Sequence, residues 1–176
     1  NRDSVVGILD YYTTMLSKID VPFVEEVRGG LSSQLFLSDQ TSVAGSGTLA
    51  SLESNSEISD DGINTIIEYG LGRNDRFLVA NYGELKAGIK NAIEAIQNSK
   101  PKAMILLTTP KEHPVDDLNQ NANGKNNIRQ AYEEVSNELN IPLLDMKAVS
   151  SPSIVAQDSL DYFPSQSGGS RTDYYY

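Results

Sequence analysis

The chemistry open to this chain rests on hydroxyls, carboxylates, amides and one imidazole. Its 176 residues include no Cys and a single His, His113. Thiolate nucleophiles, disulfides and Cys-ligated metal sites are therefore excluded. One His with scattered carboxylates also lacks recognisable ligand spacing, so no metal is expected. The remaining candidates fall in short polar segments: Arg2-Asp3-Ser4, Arg28-Gly29-Gly30, Gly72-Arg73-Asn74-Asp75, Thr109 to Asp117, and Asp158 to Gly169. A hydroxyl at a helix start, as at Ser4, faces backbone N–H groups and the positive end of the dipole, which favour developing negative charge. Each candidate also has a plain structural reading. Ser4 fits a helix cap, Gly29-Gly30 a turn, Asn74-Asp75 a cap on the segment that follows, and His113 a surface loop.

The elements that must position these residues follow from hydrophobic spacing. Val5, Leu9, Tyr12, Leu16 and Ile19 form a helical stripe with Asp3 or Ser4 as N-cap. Pro22 to Arg28 reads as a short strand stopped by glycines, and Leu31 to Asp61 as loop plus a modest helix carrying Leu35, Val43, Leu49 and Leu52. The β-branched run Ile63–Tyr69 predicts a strand ended by Gly70-Leu71-Gly72. A long helix follows with Leu85, Ile89, Ala92, Ile93 and Ile96 on one face, ended by Lys100-Pro101. Ala103–Thr109 is nearly all apolar, which predicts a strand covered on both faces. After a polar loop from His113 to Asn127 come a helix with Ile128, Ala131, Tyr132, Val135 and Leu139, and a last strand, Ile141–Met146. This alternation predicts one α/β domain over residues 1–176, a parallel sheet with helices on both faces. In such a sheet the ligand site lies beyond the C-terminal strand ends, where the polar segments fall.

Charge narrows the partners. With 14 Lys+Arg against 24 Asp+Glu the net charge is -10, which repels phosphate backbones and anionic lipid heads. No apolar run approaches the roughly 18–20 residues that span a bilayer. Neither nucleic acid nor membrane is an expected partner.

In order, the polar segments resemble the sequence blocks of the SGNH, or GDSL-type, hydrolases. Asp3-Ser4 opens a helix as the family's first block does, Gly30-Leu-Ser-Ser-Gln34 looks like the second, and Gly72-Arg-Asn-Asp75 matches the third on a strand end. The resemblance implies a three-layer α/β/α flavodoxin-like fold and a cofactor-independent serine esterase or deacylase, acting on an ester of a carbohydrate or small acyl group. It implies Ser4 as nucleophile, and its N–H, the Gly30 N–H and the Asn74 carboxamide as the oxyanion hole.

Two departures qualify what the resemblance implies. The family's last block supplies a His as general base, yet Phe163 stands at that place in Leu160-Asp-Tyr-Phe163-Pro164 and cannot accept a proton. The sole candidate base is then His113, with Asp116 or Asp117 to orient it. The family also begins with an apolar central strand, whereas the sequence given starts at Asn1 with no Met or signal segment. The expectation is that this strand comes from upstream residues or another chain, since unpaired interior backbone groups cost about 1–3 kcal/mol each. These departures support a second reading: an inactive SGNH-like binding or structural module of a larger surface or virion assembly, with Tyr174-Tyr175-Tyr176 contacting a partner or sugar. A third reading is an unrelated flavodoxin-like domain. Its Gly45-Ser-Gly47 lacks the surroundings of a dinucleotide fingerprint.

Overall fold

The computed structural model describes residues 30–72, 74–109 and 127–145. All of them belong to one compact unit, Glu25–Pro110 with Gln120–Val149. The predicted helix from Val5 to Ile19, the strand from Pro22 to Arg28, most of the loop from His113 to Asn127, and everything after Asp145 lie outside the described residues.

The described order is helix α1 (Ser33–Ser38), helix α2 (Leu49–Ser54), strand β1 (Ile66–Tyr69), a 3₁₀ turn (Asp75–Phe77), helix α3 (Tyr82–Ser99), strand β2 (Met104–Thr108), helix α4 (Ile128–Leu139) and strand β3 (Leu143–Leu144). The strands form a parallel sheet in the order β1-β2-β3. Helices connect successive strands, as parallel pairing requires. The result is an α/β structure with a small open sheet.

Helix α3 forms where periodicity and capping agree. The Asn81 side chain accepts the Glu84 N–H at 3.1 Å, and the Glu84 carboxylate accepts the Ala80 N–H at 2.8 Å. The five apolar residues predicted to share a face are all buried. Helix α4 buries Ile128, Ala131, Tyr132 and Val135, with Leu139 partly covered. It packs along β2 and β3, while α3 packs against α4, α1 and α2. Fully burying one such aliphatic side chain contributes about 1.5–3 kcal/mol, so this shared stripe is the main source of cohesion.

The strands are shorter than the sequence predicts. Gly62 (φ +75°) and Asn64 (φ +61°) are left-handed, so the chain turns through Ile63–Thr65 and pairing starts at Ile66. The predicted strand Ile141–Met146 contracts to Leu143–Leu144. Pro142 has no N–H to give the ladder, yet its carbonyl accepts the Leu107 N–H at 2.9 Å.

The expectation that β2 is covered on both faces holds at its end, where Leu107 and Thr108 on opposite faces are both buried, and fails at its start. Tyr69, Ile105 and Leu107 are buried on one face, while the register pair Ile66 and Met104 on the other is 65% and 57% exposed. An apolar run records that a strand avoids polar side chains, and it does not record what lies over each face.

The stretch from Leu31 to Asp61 contains two short helices in place of one. Each is fixed by its cap: the Ser32 hydroxyl accepts the Leu35 N–H, and Thr48 and Ser51 form a reciprocal capping box. Phe36 and Leu52 are the core residues here, whereas Leu35 and Val43 are exposed. Among the described residues no helix is long and apolar enough to cross a membrane.

Candidate active site

Strand β1 delivers the chain to the site through aromatic packing. Tyr69 at its end is buried, stacked on Tyr132 with ring centres 6.3 Å apart, and in edge contact with Phe36 at 6.0 Å. The Tyr132 hydroxyl donates a hydrogen bond to the Leu71 carbonyl. The next residue, Gly72, has φ +121°, and a Cβ there would lie 3.5 Å from Ile128, Ile89 and Tyr132. Left-handed backbone over packed core suits glycine. The strand therefore leaves the sheet at a fixed angle, and Asn74 follows at the start of the 3₁₀ turn.

The side chain of Asn74 makes no capping bond to that turn, which removes the capping reading for this residue. It reaches back across the sequence instead: Asn74 Nδ2 donates to the Leu31 carbonyl at 2.8 Å. A carboxamide nitrogen carries two hydrogens, so one remains beyond this bond for an acceptor in the site. The structure thus brings Asn74 to the loop that carries Gly30. Gly30 is exposed, with φ +80° and open space where a Cβ would stand. Its glycine is required by the left-handed turn, in addition to any need for close backbone approach.

Asp75, beside Asn74, is 2% exposed. Both of its carboxylate oxygens accept the Ser33 backbone N–H, at 2.9 and 3.1 Å. Ser33 is the first residue of α1, where an N–H has no partner within the helix. The Ser33 hydroxyl pairs with the Tyr69 hydroxyl at 2.7 Å. Burial pushes the Asp75 carboxyl above its ordinary range, against the opposing pull of the Ser33 hydrogen bonds. Burial raises the Tyr69 phenol as well, which keeps it neutral and able to donate.

Of the four residues singled out from sequence, Gly30 and Asn74 are described and lie on neighbouring segments. Ser4 and His113 lie outside the described residues, as does Phe163. The sequence reading missed Asp75, Ser33 and Tyr69 as a buried polar chain. An acidic side chain in a Gly-rich turn looks solvated unless its distant partner is known. Among the described residues no group of three or more His, Asp or Glu is arranged to hold a metal ion. No family model matches the chain, and no curated protein or solved structure matches it.

Proposed function

We propose that the chain is a serine esterase or deacylase of the SGNH type, with the α/β/α flavodoxin-like architecture of that family, acting on an ester of a carbohydrate or small acyl group. Ser4 Oγ attacks the ester carbonyl while His113 takes its proton. The tetrahedral oxyanion is held by the N–H groups of Ser4 and Gly30 and by the Asn74 carboxamide. Collapse expels the alcohol, which recovers the proton from His113, and water then releases the acid by the same sequence. The single observation that supports this reading is the 2.8 Å bond from Asn74 Nδ2 to the Leu31 carbonyl, which sets a carboxamide beside the Gly30 segment. The test is turnover of p-nitrophenyl acetate by the full chain and by Ser4→Ala. Turnover lost in the variant supports the assignment, and turnover unchanged refutes it.

A second reading is favoured by Phe163, which stands where the family carries its base. Under it the chain is a catalytically retired binding or structural module within a larger assembly. Absence of any turnover above buffer in the unaltered chain would favour this reading. Loss of activity in His113→Ala, with the fold intact, would favour the esterase.

A further inference from the structure

We propose that Asp75 is the positioning residue of the oxyanion-binding loop: its carboxylate, acting through the Ser33 backbone N–H, holds the Gly30 segment in register with Asn74. The inference rests on the esterase reading and extends it to a residue that touches no substrate.

Three observations carry it. First, Asn74 and Asp75 are consecutive, and they grip two points of one short loop. Asn74 donates to the Leu31 carbonyl at 2.8 Å, and Asp75 accepts from the Ser33 N–H at 2.9 and 3.1 Å. A donor and an acceptor on consecutive residues engage an acceptor and a donor that stand two residues apart. The loop cannot slide along the turn without breaking both bonds.

Second, the carboxylate is 2% exposed. A buried charge is costly, and a merely structural cap is served as well by a neutral side chain. The ionised carboxylate offers both oxygens to the one Ser33 N–H, a bond that acts against the cost of burial. Third, the Ser33 hydroxyl meets the Tyr69 hydroxyl at 2.7 Å, so the same loop is tied to the end of β1. Helix α3 lies over the arrangement at Gly88, where a Cβ would make ordinary contact with Asp75 Oδ1 at 3.5 Å and Ser33 Cβ at 3.7 Å.

The experiment compares the full chain with Asp75→Asn, using p-nitrophenyl acetate turnover and ¹H–¹⁵N spectra that resolve the Gly30 amide and the Asn74 side-chain NH₂. Ser4→Ala supplies the baseline. The expected result is a folded variant whose kcat falls tenfold or more at unchanged KM, with both the Gly30 and Asn74 signals displaced. Wild-type kcat with both signals unmoved overturns the proposal, and so does a lowered kcat with both signals unmoved. If Asp75→Asn does not fold, Ser33→Pro decides by the same signals. It deletes the gripped N–H at a first-turn position that tolerates proline, after a Ser32 whose ψ of 165° already suits a following proline. If the unaltered chain shows no Ser4-dependent turnover, the esterase reading falls and the two signals alone decide whether Asp75 positions the loop.

Discussion

Asn74 and Leu31, 43 positions apart in sequence, are joined by a 2.8 Å hydrogen bond from a side-chain amide to a backbone carbonyl. The bond spends one of two amide hydrogens on structure and, in the proposed esterase, leaves the other for the oxyanion. Asn74→Ala removes both uses. The expected outcome is a fall in kcat of about 10²–10³ on an activated ester, the usual effect of deleting one oxyanion donor. The loss of stability is smaller, about 1 kcal/mol, because the bond is only partly buried. Steady-state kinetics beside a urea titration separate the two.

Tyr132 tests how the strand end is held. Tyr132→Phe keeps the ring stacked on Tyr69 and deletes the hydroxyl that the Leu71 carbonyl accepts. Stability is expected to fall by about 1 kcal/mol, because the bond is only partly buried and water can reach the Leu71 carbonyl. A urea midpoint equal to that of the unaltered chain would show that the Leu71 carbonyl finds another donor.

Two glycines should respond in opposite directions to alanine. At Gly62 a Cβ would sit 2.9 Å from both the Ala103 and Lys100 Cβ atoms, on a backbone with φ +75°. Gly62→Ala is expected to destabilise by at least about 1–3 kcal/mol from the strained backbone alone. At Gly88, inside α3, the nearest atom to a Cβ is Asp75 Oδ1 at ordinary contact distance, 3.5 Å. Gly88→Ala therefore gains up to about 1 kcal/mol of helix propensity. Thermal melts of the two variants check both signs.

Acid should act on two sets of carboxylates in opposite directions. The Lys86 ammonium lies 2.6 Å from Glu134 and 2.5 Å from Glu138, and hydrogen bonds led by those from Lys86 and Gln130 hold Glu134 down to about 2. A carboxyl whose pKa is lowered by folding supports the fold in full above its unfolded value, near 4.3, and loses that support as pH falls towards about 2. Asp75, raised by burial, runs the other way: protonation favours the folded form, so its contribution improves as pH drops. Lys86→Met is expected to flatten the loss of stability between about pH 4.3 and 2. Asp75→Asn is expected to remove the improvement that sets in as pH falls from the raised folded value towards about 3.9. Denaturant midpoints measured from neutral pH down to about 2 decide both.

What the sequence revealed depended on how local the cause was. Helices α3 and α4 were legible because an apolar residue every third or fourth position is the whole reason they pack, and the predicted stripes are the buried ones. Leu35 and Val43 misled because periodicity does not govern helices of six residues; the hydroxyls of Ser32 and Thr48 do. The run from Ile63 looked like strand because its side chains are β-branched, yet Asn64 in a left-handed turn interrupts it. At the site, Gly30 and Asn74 stood out by their place in a motif. Asp75 stands in the same motif, but its buried partnership was not legible, since it depends on a backbone N–H 42 residues away.

That separation bears on how the molecule assembles. Bonds closed across 42 and 43 positions require the ends of a long loop to meet, whereas α3 needs only neighbours four residues apart. In a refolding experiment the helical far-ultraviolet signal is expected to recover first. The near-ultraviolet signal of Tyr69 and Tyr132 should follow later, and any catalytic competence would arrive with that slower phase.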